Sequence, residues 1–330
     1  MRAYAIRRAL LIIPTLFIVT IIVFFSVRFI PGDVIDLMVT EMAQESGMGS
    51  ELTAETIRHA LGLDEPIWKQ YGRWLGVLPK ADGGFHGALQ ADFGESLWTG
   101  RSVLNDIVSR YPISIELGII AVATAMLIAL SIGIYSAIRQ DTLGDYAGRT
   151  FAILAISVPS FWMATLVVVY PAIWWGWTPP VQYIPFTQDP LGNILQFVLP
   201  GVIVGSHMAG GTMRMTRTMM LEVLRQDYIR TAWAKGLSER TIIWRHALKN
   251  AFIPIITIVG PMVLALIGGQ VIMEQIFCLP GLGRLFIEAL NKRDYVVISG
   301  MNTITATGIV VINLAVDLSY AWLDPRVQYR

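Results

Sequence analysis

The sequence is poor in cysteine and in charged residues, and both shortages narrow its class. Cys278 is the single cysteine among 330 residues, so no disulfide can form within the chain. Charged residues make up 15% of the sequence, against about 25% in an ordinary soluble domain. The 25 lysines and arginines are balanced by 24 acidic residues. This balance argues against a nucleic-acid-binding protein, because such proteins usually carry a basic excess.

Motifs that carry catalysis or hold a cofactor are also missing from the sequence. There is no Gly-x4-Gly-Lys-Ser/Thr phosphate-binding loop, no Gly-x-Ser-x-Gly, no His-Glu-x-x-His and no Cys-x-x-Cys pair. The four histidines show no spacing typical of a metal site or a proton relay. We therefore predict a non-catalytic chain that binds no metal or cofactor. If the chain belongs to an energy-coupled transporter, the ATPase must be a separate subunit.

Long apolar runs are abundant in this sequence, which is 54% hydrophobic. A membrane-spanning helix needs about 20 apolar residues, because lipid offers the backbone no hydrogen-bond partner. The short alternating segments of a membrane β-barrel are absent from the pattern. The first run is too long for a signal peptide and is expected to be retained. We predict an all-α polytopic membrane protein with six transmembrane helices, over residues 9–30, 113–138, 150–175, 194–215, 251–277 and 296–323.

The distribution of lysine and arginine predicts the orientation of these spans. The N-terminal segment, the 138–150 turn, the 214–250 loop and the tail after residue 323 together hold 15 basic residues. The 31–110 loop on the other side holds six, but it is long and also carries 12 acids, so it counts weakly. The positive-inside rule therefore predicts that both termini are cytoplasmic.

The 31–110 loop contains a predicted amphipathic helix. Ile67, Tyr71, Trp74 and Leu75 fall on one face of this helix. The face is interpreted either as lying on the membrane surface or as docking an extracytoplasmic partner, and the two interpretations are compatible.

The 214–250 loop carries eight basic residues against three acids. Residues 228–235 predict a short helix that Gly236 ends, and Ser238 is the predicted N-cap of a second helix. The loop is interpreted either as a solvated hairpin that satisfies the positive-inside rule or as a surface that receives movement from a soluble motor. Three small side chains on the first helix would let another protein approach closely: Thr231, Ala232 and Ala234.

Small residues and prolines predict how the spans pack. Gly201, Gly205 and Ala209 recur at four-residue spacing in the fourth span. This spacing lets membrane helices pack closely, so it predicts either packing within the chain or an interface with another subunit. Pro159 and Pro171 are expected to kink or end the third span. Neighbouring helices must then satisfy the carbonyl groups that each proline leaves without a donor.

Ionisable side chains within membrane spans are functional candidates. His207 lies in the middle of the fourth span, and Glu274 lies near the end of the fifth. His207 is interpreted either as a hydrogen-bonded packing residue or as part of a solute pathway, for which Glu274 is the other candidate. Asn313 and Asp317 lie four residues apart on one face of the sixth span, and Asp317 is expected to pair with a basic group such as Arg326.

Several short motifs occur in a recognisable order along the chain. They are Pro31-Gly32-Asp33, Leu61-Gly62-Leu63-Asp64, Asp92-Phe93-Gly94-Glu95-Ser96, the run from Tyr228 to Leu237, Glu274-Gln275-Ile276-Phe277, Pro280-Gly281-Leu282-Gly283, Asn313 with Asp317, and Asp324-Pro325-Arg326. Each is weak alone, but their order and spacing resemble the membrane permeases of binding-protein-dependent ATP-binding-cassette importers. The resemblance covers nearly the whole chain and is strongest to the first of the two permeases in dipeptide and oligopeptide systems.

The resemblance implies a type I importer fold, in which a cytoplasmic Glu-Ala-Ala-x-x-x-Gly helix docks in a groove on the ATPase. The positions that correspond to this coupling segment are Arg230, Thr231, Ala232, Ala234, Lys235, Gly236 and Leu248. Arg230 and Thr231 stand where the family motif has Glu and its first Ala. The implied regions are an N-terminal helix over 1–30, an extracytoplasmic region over 31–103, the transmembrane domain over 104–323 with its coupling loop at 228–250, and a tail over 324–330.

The resemblance also implies partners in a prokaryotic cell membrane. They are a second, homologous permease, two ATPase subunits that bind ATP and magnesium, and an extracytoplasmic solute-binding protein; lipid surrounds the chain and no nucleic acid is expected. The expected solute is a di- or oligopeptide, with an oligosaccharide, a nickel or other metal chelate, or glutathione as alternatives. A self-sufficient channel or ion-coupled transporter is the alternative from another class. It predicts ionisable groups near the middle of the membrane, for which His207 is the candidate.

Overall fold

The structure is a computed structural model that describes residues 2–29, 64–80, 83–251, 255, 260–263 and 270–323. Within these ranges it consists of helices and turns, with one isolated β-bridge between Glu95 and Ser102. The predicted all-α class is confirmed. In chain order the helices are α1 (Arg2–Arg28), α2 (Ile67–Leu75), α3 (Val103–Ile138), α4 (Leu143–Ser157), α5 (Ser160–Trp175), α6 (Pro190–Leu224), α7 (Asp227–Ala234), α8 (Glu239–Thr241), α9 (Val271–Ile276), α10 (Leu282–Asn291) and α11 (Tyr295–Leu323). A π-helical segment, Ile242–Ala247, continues from α8.

Four of these helices are long and apolar enough to cross a membrane: α1, α3, α6 and α11. The pair α4 and α5 passes the same test together, but the two helices are bent by 92° at the break between them. Among the described residues, these positions match five of the six predicted spans. The remaining span, predicted over 251–277, lies partly outside the described residues, and α9 occupies its C-terminal end.

Pro159 lies at the break between α4 and α5, as predicted. α4 ends at Ser157, and Val158 adopts an extended conformation with φ −86° and ψ 119°, which is typical of a residue before proline. Pro159 is itself extended, with ψ 132°, and α5 begins at the next residue. Pro171 behaves differently, because it lies inside α5 and the helix continues for another turn.

α6 continues to Leu224, well past the predicted end of the fourth span at residue 215. Polar residues such as Arg217 end the apolar run in the sequence and therefore suggested a loop. In the structure, Arg217 binds Asp145 on α4 at 2.8 Å, so its charge is neutralised against a neighbouring helix. The 214–250 segment consequently begins as a helix.

The chain divides into two compact units. One comprises residues 112–283 with 312–330, and the other comprises residues 2–111 with 284–311. The first unit contains α4 to α9, and the second contains α1 and α2. The core of the first unit is formed by apolar clusters whose most buried large side chains include Leu117, Phe197, Met213, Met220, Ile229, Ile242 and Phe277.

In the second unit, the amphipathic helix α2 packs against α1. The ring centroids of Tyr71 and Trp74 lie 5.1 and 5.6 Å from that of Phe24. The Tyr71 hydroxyl also forms a 2.8 Å hydrogen bond with Thr20 Oγ1. Of the four residues on the predicted apolar face, only Ile67 is exposed. The first helix of this chain thus packs on two residues, Tyr71 and Trp74, of the face that was expected to meet the membrane surface or a partner.

The Asp92–Ser96 motif fixes the start of α11 within the same unit. Ser96 Oγ donates to Asp294 Oδ2 at 2.6 Å. Asp294 Oδ1 in turn accepts from the N–H of Val297 at 3.3 Å, a contact that satisfies one of the free donors at the start of a helix. This motif therefore has a structural function in the described chain.

Candidate functional site

α7, α8 and the π-helical segment form a helical hairpin, which we call the 227–250 hairpin. α7 is followed by Gly236 at φ +73°, a left-handed conformation that glycine adopts without strain. Ser238 caps the next helix, since its Oγ accepts from the N–H of Thr241. The predicted helix, its stop and the following N-cap are confirmed, because each depends on residues close together in sequence.

One face of α7 is buried against the core of its own chain. Ile229 is fully buried and Ala232 is 7% exposed, and both belong to a cluster with the π-helical segment and the ends of α3 and α6. Residues three apart share a helix face, so the face that buries Ile229 also buries Ala232. The expectation that Ala232 faces another protein is therefore corrected: its small side chain lets α7 approach its own chain. Leu248 is half-buried against the same cluster.

The opposite face of the hairpin is exposed and combines basic with aromatic side chains. Trp233 is 50% exposed, Trp244 is 60% exposed, and Tyr228 is exposed as well. Sequence reasoning missed these three aromatic residues, although large apolar side chains off the buried face of an amphipathic helix are a signal of an interaction site. Five of the predicted coupling residues lie on this exposed surface: Arg230, Thr231, Ala234, Lys235 and Gly236.

Apolar packing, more than charge, attaches the hairpin to the rest of its unit. Arg139, just after α3, forms an ion pair with Glu239 at 3.7 Å, and both side chains are largely exposed. Arg230 contacts Asp227 at 3.5 Å, and the side chains of this pair are even more exposed than those of Arg139 and Glu239. Exposed pairs of this kind contribute little stability, so the buried cluster around Ile229 is what fixes the hairpin.

A buried ion pair ties α4 to α6. Asp145 is fully buried, and Arg217 donates from Nε and Nη2 to the two carboxylate oxygens at 2.8 Å each. The N–H of Asp141 donates to the same carboxylate at 3.0 Å, and Arg149 lies 3.6 Å from it. Two parallel hydrogen bonds fix both the distance and the orientation of the partners. Sequence reasoning missed this pair because its members are 72 residues apart.

The small residues of α6 face other helices of the same chain. A Cβ at Gly201 would lie 2.5 Å from Ile120 Cγ2, and one at Gly205 would lie 2.5 Å from the carbonyl oxygen of Ala121, both on α3. Ala209 is fully buried in a cluster with alanines of α3 and α4. Of the two interpretations, the structure supports helix packing within the chain.

His207 is exposed, and its ring is hydrogen-bonded. Nδ1 lies 2.8 Å from the carbonyl oxygen of Ala155 near the end of α4. The contact agrees with the hydrogen bond expected for His207, whereas its role as a packing residue stays a prediction. Its contribution to a solute pathway stays a prediction.

Glu274, the other pathway candidate, is fully buried in the chain. Ser114 Oγ donates to Glu274 Oε1 at 2.7 Å and accepts from the N–H of Leu282 at 2.8 Å. A Cβ at Gly281 would lie 2.5 Å from the carboxyl carbon, and Gly283 packs directly on the backbone of α9. The motifs at residues 274–277 and 280–283 therefore form one packed structure around the carboxylate, and the contribution of Glu274 to a solute pathway stays a prediction.

The remaining candidates lie on other elements. Pro280 is half-buried in the turn before α10, Asn313 is exposed on α11, and Asp317 is half-buried on the same helix. Asp324 and Arg326 lie outside the described residues, so the pairing of Asp317 with Arg326 stays a prediction. Within the described ranges, no group of three or more His, Cys, Asp or Glu side chains is arranged to hold a metal ion.

Comparison of the sequence with known proteins assigns the chain to a family. The family described as "Binding-protein-dependent transport system inner membrane component" matches residues 129–329. The chain belongs to this family. Residues 1–118 match the associated description "Binding-prot-dependent transport system membrane comp, N-term". This inner membrane component is therefore a multi-pass membrane protein of the bacterial cell membrane, and the long apolar helices are its spans.

Relatives of this inner membrane component match it along its whole length. A relative from Brucella abortus (strain 2308), provisionally named a peptide transport system permease protein, is 39% identical over 329 residues. The dipeptide transport system permease protein DppB of Alkalihalophilus pseudofirmus is 37% identical over 350 residues. The oligopeptide transport system permease protein AppB of Bacillus subtilis is 36% identical over 332 residues. Each comparison covers 100% of both chains.

Proposed function

We propose that this inner membrane component is the non-catalytic permease subunit of an ATP-driven peptide importer. The names of its full-length relatives support a peptide as the solute, and the family description supports delivery by a binding protein. The chain forms one half of the translocation pathway beside a second, homologous permease. Two separate ATPase subunits bind ATP and magnesium and supply the energy.

The two faces of the 227–250 hairpin are the observation that carries this proposal. Ile229 and Ala232 fix the hairpin to its own chain, while Trp233 and Trp244 present apolar surface on the other side. Aromatic side chains surrounded by a polar and basic rim are typical of the centre of a protein interface. The ATPase subunit covers this exposed face in the assembled importer.

The connection between the hairpin and α6 supports transmission of movement. α6 ends at Leu224 and α7 begins at Asp227, so two residues separate them. The buried cluster around Ile229 also includes side chains from the end of α6. A displacement of α7 by the ATPase is therefore passed directly to a membrane span, as alternating access requires.

The proposal also fixes the orientation of the chain. The basic hairpin and both termini lie in the cytoplasm, and the acidic 31–110 region faces the binding protein outside. Asp324 and Arg326 belong to the cytoplasmic tail that follows the last span in sequence. The charge distribution along the sequence supports this arrangement.

Replacing Trp233 tests the coupling role of the hairpin in the importer reconstituted into vesicles with its ATPase subunits and binding protein. We expect Trp233→Ser to lower peptide uptake and peptide-stimulated ATP hydrolysis at least about tenfold, because an interface anchor contributes roughly 1.4 kcal/mol or more. Membrane insertion should be unchanged, since half of the Trp233 side chain is exposed. Trp175→Ser is the matched control, because Trp175 is 74% exposed at the end of α5, outside both the hairpin and the 31–110 region.

Three outcomes of the same experiment would change the proposal. Undiminished stimulation of ATP hydrolysis in the Trp233 variant would exclude this face as the coupling surface. Uptake by the chain without any ATPase subunit would support a self-sufficient channel or ion-coupled transporter. Competition by an oligosaccharide, a nickel chelate or glutathione, with none by di- or oligopeptides, would retain the importer and replace the solute.

A further inference from the structure

The last turn of α4 leaves carbonyl groups without a donor from their own helix, and that of Ala155 is one of them. In a continuing helix, the carbonyl oxygen of Ala155 would accept from the N–H of residue 159. Residue 159 is proline and has no N–H, and the N–H of Val158 is bonded to Leu154. Lipid offers no donor either, so a side chain from another helix is needed.

His207 of α6 satisfies this carbonyl group. Its Nδ1 lies 2.8 Å from the carbonyl oxygen of Ala155. A carbonyl oxygen only accepts hydrogen bonds, so Nδ1 must carry the proton in this contact. The two ring nitrogens therefore differ: Nδ1 donates to the Ala155 carbonyl, whereas Nε2 takes no part in this contact.

A series of contacts holds α4 antiparallel to α6 as far as this hydrogen bond. Both ends of the series are polar, and the middle contains two glycines, of which Gly210 lets α6 approach the backbone of α4 closely. Beyond the last contact, α5 turns away by 92°. The contacts pair Asp145 with Arg217, Gly148 with Met213, Ala152 with Gly210, and Ala155 with His207.

We propose that His207 is a positioning residue that fixes the bend between α4 and α5 by donating from Nδ1 to the Ala155 carbonyl. Pro159 prevents α4 from continuing, and His207 replaces the donor that Pro159 removes. The bend is thereby attached to α6, which leads into the 227–250 hairpin. The consequence for transport rests on the proposed function, whereas the geometry of the bend does not.

Two amide substitutions separate the contributions of the two ring nitrogens. The amide nitrogen of asparagine occupies the position of Nδ1, whereas that of glutamine occupies the position of Nε2. We expect His207→Asn to retain peptide uptake. We expect His207→Gln and His207→Ala to lower uptake about tenfold, because losing this hydrogen bond changes the population of the bent conformer by about that factor.

The angle of the bend can be measured with spin labels at positions 143 and 173, which are exposed near the outer ends of α4 and α5. Cys278 is replaced by serine so that only these sites are labelled. At 1.5 Å per residue, the two arms place the labelled backbones about 30 Å apart when bent and about 45 Å apart when straight. We expect a narrow distribution near the shorter distance in the starting protein and in His207→Asn. In His207→Gln and His207→Ala, the distance distribution should broaden towards the longer distance. Pro159→Ala provides the reference distance for a straightened pair of helices.

Two results would overturn the proposal. Uptake retained by His207→Gln and lost by His207→Asn would show that Nε2 makes the functional contact, as expected for a residue that lines the pathway. An unchanged distance distribution in His207→Ala would show that the hydrogen bond does not fix the bend. The distances do not depend on the solute or on the ATPase, so this failure is distinguishable from failure of the proposed function.

Discussion

Asp145 carries its charge in a site that solvent does not reach. Removing a carboxylate from water costs several kcal/mol per ion even after the protein relaxes. Arg217 offsets this cost with two 2.8 Å hydrogen bonds, and Arg149 adds a second positive charge 3.6 Å away. The pair contributes modest net stability when intact, but removing one partner leaves an uncompensated buried charge.

Arg217→Met is expected to lower the free energy of unfolding by about 3 kcal/mol, because Asp145 then lacks its main partner. The nearby Arg149 keeps the loss towards the lower end of the range for buried pairs. The double variant Asp145→Leu with Arg217→Met should lose less than the single variant, since no buried charge remains. Thermal unfolding of the purified protein in detergent measures both differences.

Arg230→Met is the matched control for this measurement. Arg230 also contacts an aspartate, Asp227, but both side chains are largely exposed. Its replacement should leave the unfolding midpoint unchanged. Equal shifts of the unfolding midpoint in Arg217→Met and Arg230→Met would contradict the conclusion that the buried Asp145 carboxylate requires Arg217 as its partner.

At the scale of secondary-structure elements, α6 shows two different glycine environments on one helix. A Cβ at Gly205 would lie 2.5 Å from the carbonyl oxygen of Ala121 and 2.7 Å from Thr124 Cβ. A Cβ at Gly211 would meet nothing within 4 Å. Gly205 is therefore needed for the close approach of α6 to α3, whereas Gly211 faces open space.

Gly205→Ala is expected to destabilise the protein by about 1–3 kcal/mol, because the added methyl group forces two packed helices apart. Gly211→Ala should be neutral or stabilising by up to about 1 kcal/mol, because alanine has the higher helix propensity and no neighbour obstructs it. Unfolding of the two variants under identical detergent conditions provides the comparison. A loss of stability in Gly211→Ala equal to that in Gly205→Ala would show that the packing distance is not the cause.

Local signals predicted the elements, while contacts between distant segments escaped prediction. Gly236 and Ser238 define the hairpin turn through neighbours in sequence, and Pro159 breaks the third span through its own missing N–H. The buried direction of Ala232 and the cover that α1 provides for Tyr71 depend on residues far away in the chain. A single sequence shows which side chains are apolar, but it does not show which element packs against them.

At the scale of the whole molecule, the net charge of +1 is an average over regions of opposite sign. The 31–110 region carries six basic residues against 12 acids, and the 214–250 segment carries eight against three. Basic loops are retained on the cytoplasmic side during insertion. The proposed orientation follows from this segregation, and it can be tested independently of transport.

Single cysteines in a Cys278→Ser background are expected to report the orientation. Leu89 is 68% exposed within the 31–110 region, and Trp244 is comparably exposed on the hairpin. A membrane-impermeant maleimide should label Leu89→Cys in intact cells, because the proposed orientation places this residue outside. In cells that produce this chain without the ATPase subunits, which would cover the hairpin, Trp244→Cys should react only after the membrane is permeabilised. The reverse pattern of labelling would invert the proposed topology.

The length of α6 has a mechanical consequence. Its 35 residues make a rod of about 52 Å at 1.5 Å per residue, whereas the hydrocarbon of a bilayer is about 30 Å thick. Even a tilt of about 40° leaves a projected length of about 40 Å, so part of the rod stands outside the hydrocarbon. Such a rod acts as a lever: a pivot of about 10° at its centre carries the end at Leu224 through about 4.5 Å. A small rotation of α6 within the lipid thus corresponds to a displacement of several ångströms at the end where the hairpin begins.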